Sequence, residues 1–281
     1  SMPASETTVG PRGSVSSLMA GKRGLVMGVA NDHSIAWGVA KTLHEHGAEL
    51  AFTYQGENFG RRVKPLADSV GAELLLPADV QDEASLESVC EALDKAWGRV
   101  DFLIHAIAFS DKAELQGRFA DTTRANFLKS LDISCYSLVD MSRRILPLMT
   151  EGGSIVTMSY LGAQRIMPNY NVMGVAKAAL EASVRYLAND LGPEGIRVNA
   201  LSPGPMRTLA GSAVGGARRV YKTVADNSPM RANATLEHIG GTAMWLCSDY
   251  GASTTGEVIF VDGGYHAIGM PHLENLPKVE G

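Results

Sequence analysis

The sequence predicts an α/β fold, with one doubly wound parallel sheet of about seven strands covered by helices on both faces. Short β-type runs alternate along the chain with longer segments of helical periodicity, as in repeated strand–helix–strand units. Several of these runs are apolar throughout, which is expected for strands that helices cover on both sides. The predicted strands span residues 24–29, 49–54, 73–76, 100–106, 154–159, 196–201 and 258–261.

Helical periodicity fills most of the intervals between these strands. The predicted helices span residues 34–46, 84–97, 122–146, 171–191 and 236–248. Three of them are followed by a glycine that is suited to end a helix, at Gly47, Gly98 and Gly192. In the helix that begins near residue 171, three- and four-residue steps predict a buried face at Val172, Ala176, Ala179, Ser183 and Leu187.

The composition is that of one ordinary globular domain. The chain has 281 residues, of which 45% are hydrophobic and 20% charged, and it can form a substantial single core. Because no internal repeat and no linker divides the predicted sheet, residues 21–281 are expected to form one domain. Residues 1–20 are rich in Ser, Thr, Gly and Pro, and they are expected to form a flexible N-terminal arm.

Charge and cysteine content argue against several classes of partner. A formal net charge of −5 makes a nucleic acid or an anionic membrane surface an unexpected main partner, and no apolar run has the length needed to cross a bilayer. Three separated cysteines indicate reduced thiols in a cytoplasmic protein. The seven histidines form no metal-binding motif, so no metal is expected, and surface or capping positions are predicted for them.

The turn after the first predicted strand has features of a nucleotide site. Gly28 ends the strand, and Ser34 stands where the next helix begins. A glycine turn beside a helix N-terminus binds a pyrophosphate through backbone N–H groups and the helix dipole. The glycine triplet of the usual dinucleotide fingerprint is absent, and Ser34 is placed either to cap the helix or to bind phosphate. An ordinary strand-to-helix turn is the alternative.

Other predicted strand ends carry residues suited to the rest of a dinucleotide. Gln55 follows the second strand, where the adenosine ribose is read, and its neutral side chain does not decide between NADH and NADPH. Asp79 and Val80 close the third strand and are suited to hold adenine, although Asp79 is equally suited to cap a helix. Residues 202–206 form a loop placed to cover a nicotinamide. All these turns share the carboxyl edge of the sheet, where ligands bind in open α/β folds.

Two tyrosines and a lysine follow the fifth predicted strand: Tyr160, Tyr170 and Lys177. The seven-residue step from Tyr170 to Lys177 spans almost two helical turns and about 10 Å, so the two side chains can share a ligand but hardly touch each other. A phenol donor beside an ammonium group stabilises negative charge that develops on oxygen, as in reduction of a carbonyl or an enoyl thioester. The alternative is a half-buried ring and a solvated amine.

In this order, the motifs resemble those of the short-chain dehydrogenase/reductase superfamily, which has a Rossmann-like fold. A closer resemblance is to the bacterial NADH-dependent enoyl-[acyl-carrier-protein] reductases, over about residues 18–270, and it is most specific in segments 159–177 and 204–210. The general superfamily pairs Tyr with Lys at a four-residue step, whereas here that position is Gly174 and the step is seven. The longer step is the enoyl-reductase variant.

The resemblance implies hydride transfer from NADH to the β-carbon of a trans-2-enoyl thioester on acyl carrier protein, followed by protonation of the enolate, in fatty-acid elongation. It implies that Tyr170 binds the enolate oxygen and that Lys177 binds the nicotinamide ribose. Tyr160 would line the thioester pocket or assist the supply of the proton. Ser110 falls at a substrate-contact position. The implied cofactor contacts are Gly28, Ser34, Ile35, Gln55, Asp79, Val80, Ile107, Lys177, Met206, Arg207, Thr208, Leu209 and Ala210.

A mobile substrate loop at about residues 206–227 is also implied, and Gly211, Gly215 and Gly216 lie within it. A glycine-rich surface connection is the alternative. The loop carries four basic residues that are placed to receive an acidic acyl carrier protein, or that form a solvated face: Arg207, Arg218, Arg219 and Lys222.

The sequence leaves alternatives open for the cofactor and for the function, and it indicates the assembly only by resemblance. The resemblance implies a homotetramer, and NADPH stays open as a second cofactor. One rival function is a ketoreductase of the same superfamily, with Ser159 or Thr157 as a second donor, and Gly174 argues against it. The other rival is a regulatory nucleotide-binding protein that keeps the fold and has lost catalysis.

Overall fold

The computed structural model describes residues 15–207 and 214–281. Within these residues the strands are β1 (Arg23–Met27), β2 (Glu49–Tyr54), β3 (Leu74–Pro77), β4 (Phe102–His105), β5 (Gly153–Met158), β6 (Ile196–Pro203) and β7 (Val258–Val261). They form one parallel sheet with the order β3-β2-β1-β4-β5-β6-β7. The order reverses direction between β1 and β4, which leaves a crevice at the carboxyl edge where their loops diverge.

Helices lie on both faces of this sheet. Those in the described residues are α1 (Ile35–Glu45), α2 (Glu57–Ser69), α3 (Glu83–Trp97), α4 (Arg124–Leu131), α5 (Ser137–Ile145), α6 (Val172–Leu191), α7 (Ala217–Asn227) and α8 (Leu236–Cys247). One apolar cluster joins the sheet to α1, α2 and α8, and a second joins it to α3, α5 and α6. The predicted fold class is therefore confirmed.

Close packing of α1 against α8 requires glycine at the crossing point. A Cβ atom on Gly38 would lie 2.8 Å from the Cβ of Leu236, and one on Gly240 would lie 2.2 Å from Oγ1 of Thr42. Both distances are shorter than van der Waals contact, so a larger residue at either position would push the helices apart.

The structure differs from the predicted helices in segment 122–146 and at α2. The helix predicted at 122–146 is divided into α4 and α5 by a π-helical turn at Asp132–Tyr136. That turn places the hydroxyl of Ser134 on the backbone of Phe109, where it accepts from the N–H at 2.9 Å and donates to the carbonyl at 3.1 Å. Helix α2 was not predicted because it is mostly polar and contains Pro65, which usually interrupts a helix.

The buried face of α6 also differs from the prediction. Val172 and Ala176 are buried as expected, but the buried face then continues at Leu180, Val184 and Ala188, one residue later than predicted. The predicted Ala179, Ser183 and Leu187 are half-buried beside it.

The three glycines predicted to end helices follow α1, α3 and α6 in the structure. Gly47 and Gly98 have positive φ angles of 102° and 69°, as at left-handed helix ends. Gly192 is the C-cap residue of α6 but has a helical φ of −56°, and the left-handed position after it falls on Gly195, with φ 74°.

The end of the predicted N-terminal arm is tied to the domain. Met19 is completely buried, and its N–H donates to the carbonyl of His46 at 2.8 Å. The hydroxyl of Ser16 is hydrogen-bonded to Nδ1 of the same histidine at 2.5 Å. The prediction of a flexible arm is therefore wrong for residues 15–20, because an apolar side chain there enters the core, and residues 1–14 lie outside the described residues.

No helix in the described part of the chain is both long enough and apolar enough to cross a lipid bilayer.

Candidate functional site

The turn after β1 can be made only by glycine. Gly28 has a φ of 109°, and a Cβ atom there would lie 2.0 Å from the carbonyl oxygen of Ala106. This proximity follows from the register of the sheet, which pairs Met27 of β1 with His105 of β4, so the two chain ends emerge side by side. The missing side chain leaves a cradle at the carboxyl edge where a ligand can approach the backbone closely.

Ser34 occupies the N-cap position of α1, yet its side chain does not cap the helix. Its hydroxyl accepts from the N–H groups of Ala30 and Asn31, at 2.9 and 3.1 Å, and thereby holds the glycine turn closed. Within the described residues, the N–H groups of Ile35 and Ala36 have no protein acceptor. The first turn of α1 therefore presents unpaired donors and the positive end of its dipole to the cradle, which suits a pyrophosphate.

We expect Gly28→Ala to lower the free energy of unfolding by about 3 kcal/mol, because it combines a left-handed backbone with a clash against Ala106. Gly71→Ala is the matched control, since Gly71 also has a positive φ, of 66°, but has open space around it. Gly71→Ala should lower the free energy of unfolding by about 1 kcal/mol. Urea unfolding of both variants measures the difference, and equal costs would contradict the clash.

The positions predicted to bind the adenosine half lie along the same edge. Gln55 is exposed just after β2. Asp79 follows β3, and its carboxylate accepts from the N–H of Gln81 at 2.9 Å. The cap of α3 is Asp82, not Asp79, because Asp82 accepts from the N–H of Ala84. Val80 and Ile107, from the ends of β3 and β4, are half-buried against one apolar cluster.

Tyr160 and Tyr170 are in direct contact. Their ring centroids are 4.8 Å apart with the planes at 56°. Burial, with a smaller effect from Tyr265, raises the pKa of Tyr160 to about 12. Burial, followed by the effects of Tyr160 and Glu181, raises the pKa of Tyr170 above its usual range. Both phenols therefore keep their protons at neutral pH and act as hydrogen-bond donors.

Gly162 makes room for the Tyr170 ring, and Gly174 makes room for the turn that contains Gly162. A Cβ atom on Gly162 would lie 2.3 Å from the ring, and one on Gly174 would lie 2.8 Å from the carbonyl oxygen of Gly162. Position 174 is where the general superfamily carries its lysine. Here the close approach of α6 to the turn that contains Gly162 leaves no space for a side chain.

Lys177 is almost completely buried, with 6% of its surface exposed. Its Nζ donates to the carbonyl of Met158 at 2.7 Å, which holds the amine at the carboxyl end of β5. Burial lowers the pKa of Lys177 to about 8, and the nearby Cys135 and Glu181 oppose this shift. A solvated amine, the alternative reading of Lys177, is therefore wrong.

A buried carboxylate beside this lysine was not predicted. Glu181 lies one turn after Lys177 on α6 and is 4% exposed. It accepts from the hydroxyl of Ser159 at 2.5 Å and from the side-chain amide of Gln164 at 2.8 Å. These two residues flank Tyr160 along the chain, so Glu181 secures both ends of the segment that carries that ring.

His105 was also missed, and its predicted surface or capping position is wrong. It is completely buried, with Nδ1 hydrogen-bonded to Thr157 at 2.9 Å and Nε2 to Ser137 at 2.7 Å. Burial, followed by the charge of Lys177, lowers its pKa to about 3, so the ring is neutral. Its place inside an apolar strand was the available signal. A capping role is correct for His238, which forms a capping box with Thr235 at the start of α8.

The hydroxyls that a ketoreductase would need as second donors are already bonded. Thr157 is paired with His105, and Ser159 donates to Glu181. Both side chains are buried. This arrangement favours the enoyl-reductase reading over the ketoreductase.

Three of the remaining residues predicted to contact substrate or cofactor lie in the described part of the chain. The hydroxyl of Ser110 is hydrogen-bonded to Asn126 and Ser130, each at 3.0 Å. Met206 packs against the first apolar cluster, and the guanidinium of Arg207 lies 4.9 Å from the ring centre of Tyr221. Thr208, Leu209 and Ala210 lie outside the described residues.

Tyr160 borders a small pocket that shares lining residues with a larger cleft. Tyr160 lines the pocket together with Leu161, Met167 and Tyr265, and these last three residues also line a cleft of about 420 Å³. The cleft continues to Ile268 and Met270 and is largely apolar. Among the residues that the structure describes, no three His, Cys, Asp or Glu side chains gather as a metal site.

A doubly wound sheet with a glycine turn suited to a pyrophosphate, and with two phenols and a buried amine after β5, is the arrangement of an oxidoreductase of the short-chain dehydrogenase/reductase superfamily. The sequence profile described as "Enoyl-(Acyl carrier protein) reductase" matches residues 28–266. The chain belongs to this family.

Named relatives agree with this assignment. "Enoyl-[acyl-carrier-protein] reductase [NADH] 2" of Rhizobium meliloti (strain 1021) is 57% identical over 259 residues, which cover 92% of this chain and 97% of the relative. An enoyl-(acyl-carrier-protein) reductase from Anaplasma phagocytophilum, solved in complex with NAD, superposes with a TM-score of 0.89 at 50% identity, covering 94% of this chain and 98% of that one. The Bacillus cereus enoyl-acyl carrier protein reductase, solved with NADP⁺ and an indole naphthyridinone, has a TM-score of 0.88 at 48% identity, covering 90% and 99%.

Proposed function

We propose that this protein reduces the trans-2 double bond of enoyl thioesters carried on acyl carrier protein, with NADH as the reductant, in fatty-acid elongation. The observation that carries the proposal is the pair of contacting phenols, with a buried lysine that β5 anchors two helical turns beyond Tyr170. Relatives whose names specify NADH support the choice of cofactor.

The cradle of the first turn fits the cofactor. Gly28 has no side chain to fill it, and the unpaired N–H groups at Ile35 and Ala36 point to an anionic group. Ser34 acts by holding the turn in shape. Gln55, Asp79, Val80 and Ile107 follow the neighbouring strands and would line the adenosine half, while residues 206–210 would cover the nicotinamide.

NADH, when bound, supplies a hydride to the β-carbon of the thioester. The negative charge that develops on the thioester oxygen is then stabilised by the Tyr170 phenol, which donates a hydrogen bond to it. The ammonium group of Lys177 would hold the nicotinamide ribose hydroxyls and would add positive charge nearby. Tyr160, in contact with Tyr170, lines the thioester pocket and assists protonation at the α-carbon. The Ser110 hydroxyl accepts from both Asn126 and Ser130, so its own hydrogen would be the donor to a substrate oxygen.

We also propose that residues 21–281 act as one domain with a cover over the acyl pocket at about 206–227. The second half of that segment is α7, so the cover includes a helix as well as a loop. Arg218, Arg219 and Lys222 lie on it and would meet the acidic carrier protein, although Lys222 also pairs with Asp226 at 2.8 Å. A cytoplasmic homotetramer completes the proposal, and three free cysteines support the compartment.

A side-by-side rate measurement tests this function. The protein should oxidise NADH with a crotonyl thioester and not with an acetoacetyl thioester, and NADH should be used faster than NADPH. Enoyl thioesters of increasing length, free and on acyl carrier protein, extend the comparison. Preference for the acetoacetyl thioester would assign the chain to ketone reduction, and NADH binding without turnover of any thioester would assign it to a regulatory role.

A further inference from the structure

Tyr170 stands between two asparagines with unusual backbone conformations. Asn169 has a φ of 62° and Asn171 a φ of 47°. Outside glycine, the described residues contain one other positive φ, at Arg231. Asn171 has ψ −127°, which moves it away from the left-handed helical region that asparagine tolerates best. Such conformations cost about 1–3 kcal/mol each and persist only where the surrounding contacts hold them.

The side-chain amide of Asn171 supplies one such contact. Its Nδ2 donates to the carbonyl of Glu114 at 3.0 Å, and the carbonyls of Gln116 and Gly117 lie at 3.5 and 3.4 Å. These carbonyls belong to the segment between β4 and α4. The segment after β4 is thereby tied to the residue that follows Tyr170.

Asn169 makes a corresponding contact on the other side. Its Nδ2 donates to the carbonyl of Gly215 at 2.8 Å, just before α7. The N–H of Gly215 in turn donates to the carbonyl of Leu115 at 3.1 Å. A Cβ atom on Gly215 would lie 3.1 Å from the Asn169 amide, so this junction is tightly packed. Three segments distant in sequence therefore meet around Tyr170.

We propose that Asn169 and Asn171 are positioning residues that aim the Tyr170 phenol, by tying its strained turn to segment 114–117 on one side and to Gly215 on the other. Because the ring also fits against Gly162, a small rotation of the turn would move the hydroxyl away from the reacting oxygen. This inference rests on the role of Tyr170 in the proposed function.

Glycine variants test it, because glycine tolerates the positive φ and removes the side chain that carries the amide. Asn171→Gly and Asn169→Gly should each lower kcat with NADH and a crotonyl thioester by about tenfold, since small displacements of a catalytic group cost that much or more. The KM for NADH should stay within about twofold, and NADH-binding stoichiometry should equal that of the wild type, which distinguishes misaligned from unfolded protein. Arg231→Gly, which changes the third strained residue, is the control and should leave kcat unchanged. A kcat within twofold of wild type in both asparagine variants would overturn the inference.

Hydrogen–deuterium exchange separates this inference from the proposed function. The Gly215 amide should exchange faster in Asn169→Gly, and the Leu115 amide faster in Asn171→Gly, with neither change in Arg231→Gly. Unchanged exchange at both amides would overturn the inference whatever the activity of the protein. If the wild type turns over the crotonyl thioester, and the asparagine variants show altered exchange but an unaltered kcat, the proposed function stands and the positioning role is refuted.

Discussion

Replacing Tyr170 by phenylalanine is expected to lower kcat about a hundredfold or more, with little change in NADH affinity. Phenylalanine keeps the ring that packs against Tyr160 and Gly162 and removes only the hydroxyl. Loss of one donor to a developing oxyanion costs about 10²–10³ in kcat. Steady-state rates with a crotonyl thioester measure the effect, and fluorescence titration measures NADH binding.

Tyr186→Phe is the matched control for this variant. Tyr186 lies on the same helix, α6, and is 77% exposed, so loss of its hydroxyl should not change the rate. Turnover of Tyr170→Phe within about threefold of wild type would remove Tyr170 from the mechanism. The same measurement on Tyr160→Phe then shows how the two phenols divide proton donation.

Lys177→Met is expected to weaken NADH binding by at least about tenfold. The amine is held in place by the Met158 carbonyl, and in the proposed function it provides the charged donors for the ribose hydroxyls. A hydrogen bond from a charged group contributes about 1.5–3 kcal/mol, which corresponds to that factor or more. Methionine is similar in length and apolar, so it fits the buried position, and circular dichroism checks that the variant is folded. Lys95→Met, at an exposed position on α3, is the control and should bind NADH normally.

The pH dependence of NADH binding tests the same lysine. Because burial lowers the pKa of Lys177 to about 8, the free protein carries the ammonium group below that pH and loses it above. NADH affinity should therefore fall as pH rises through about 8. His105 does not confuse the measurement, since its pKa of about 3 keeps it neutral throughout this range. In Lys177→Met the affinity should not change across the same interval, and a persistent decline there would assign the titration to another group.

Much of the fold could be predicted because strands and helices differ in local periodicity. Strands β2 and β7 were predicted at their observed bounds, and the others were displaced by a few residues at one or both ends. Helix α7 was not predicted because its sequence is highly charged and follows two glycines. The π-helical turn was not predicted because the helical periodicity continues through it. The π-helical turn is accompanied by a contact between Ser134 and the backbone of Phe109, which lies in another segment. A local sequence pattern contains no information about such a contact.

The sequence by itself determined the strand–helix alternation, the glycine turn and the long step from Tyr170 to Lys177, because each depends on residues close together along the chain. Only the tertiary structure decided that Tyr160 contacts Tyr170, that Glu181 secures Ser159 and Gln164, and that two asparagine amides join distant loops. These contacts depend on the order of the strands and on how closely α6 packs against its neighbours. The same packing explains Gly174, since the space that a lysine would need there is filled by the backbone of Gly162.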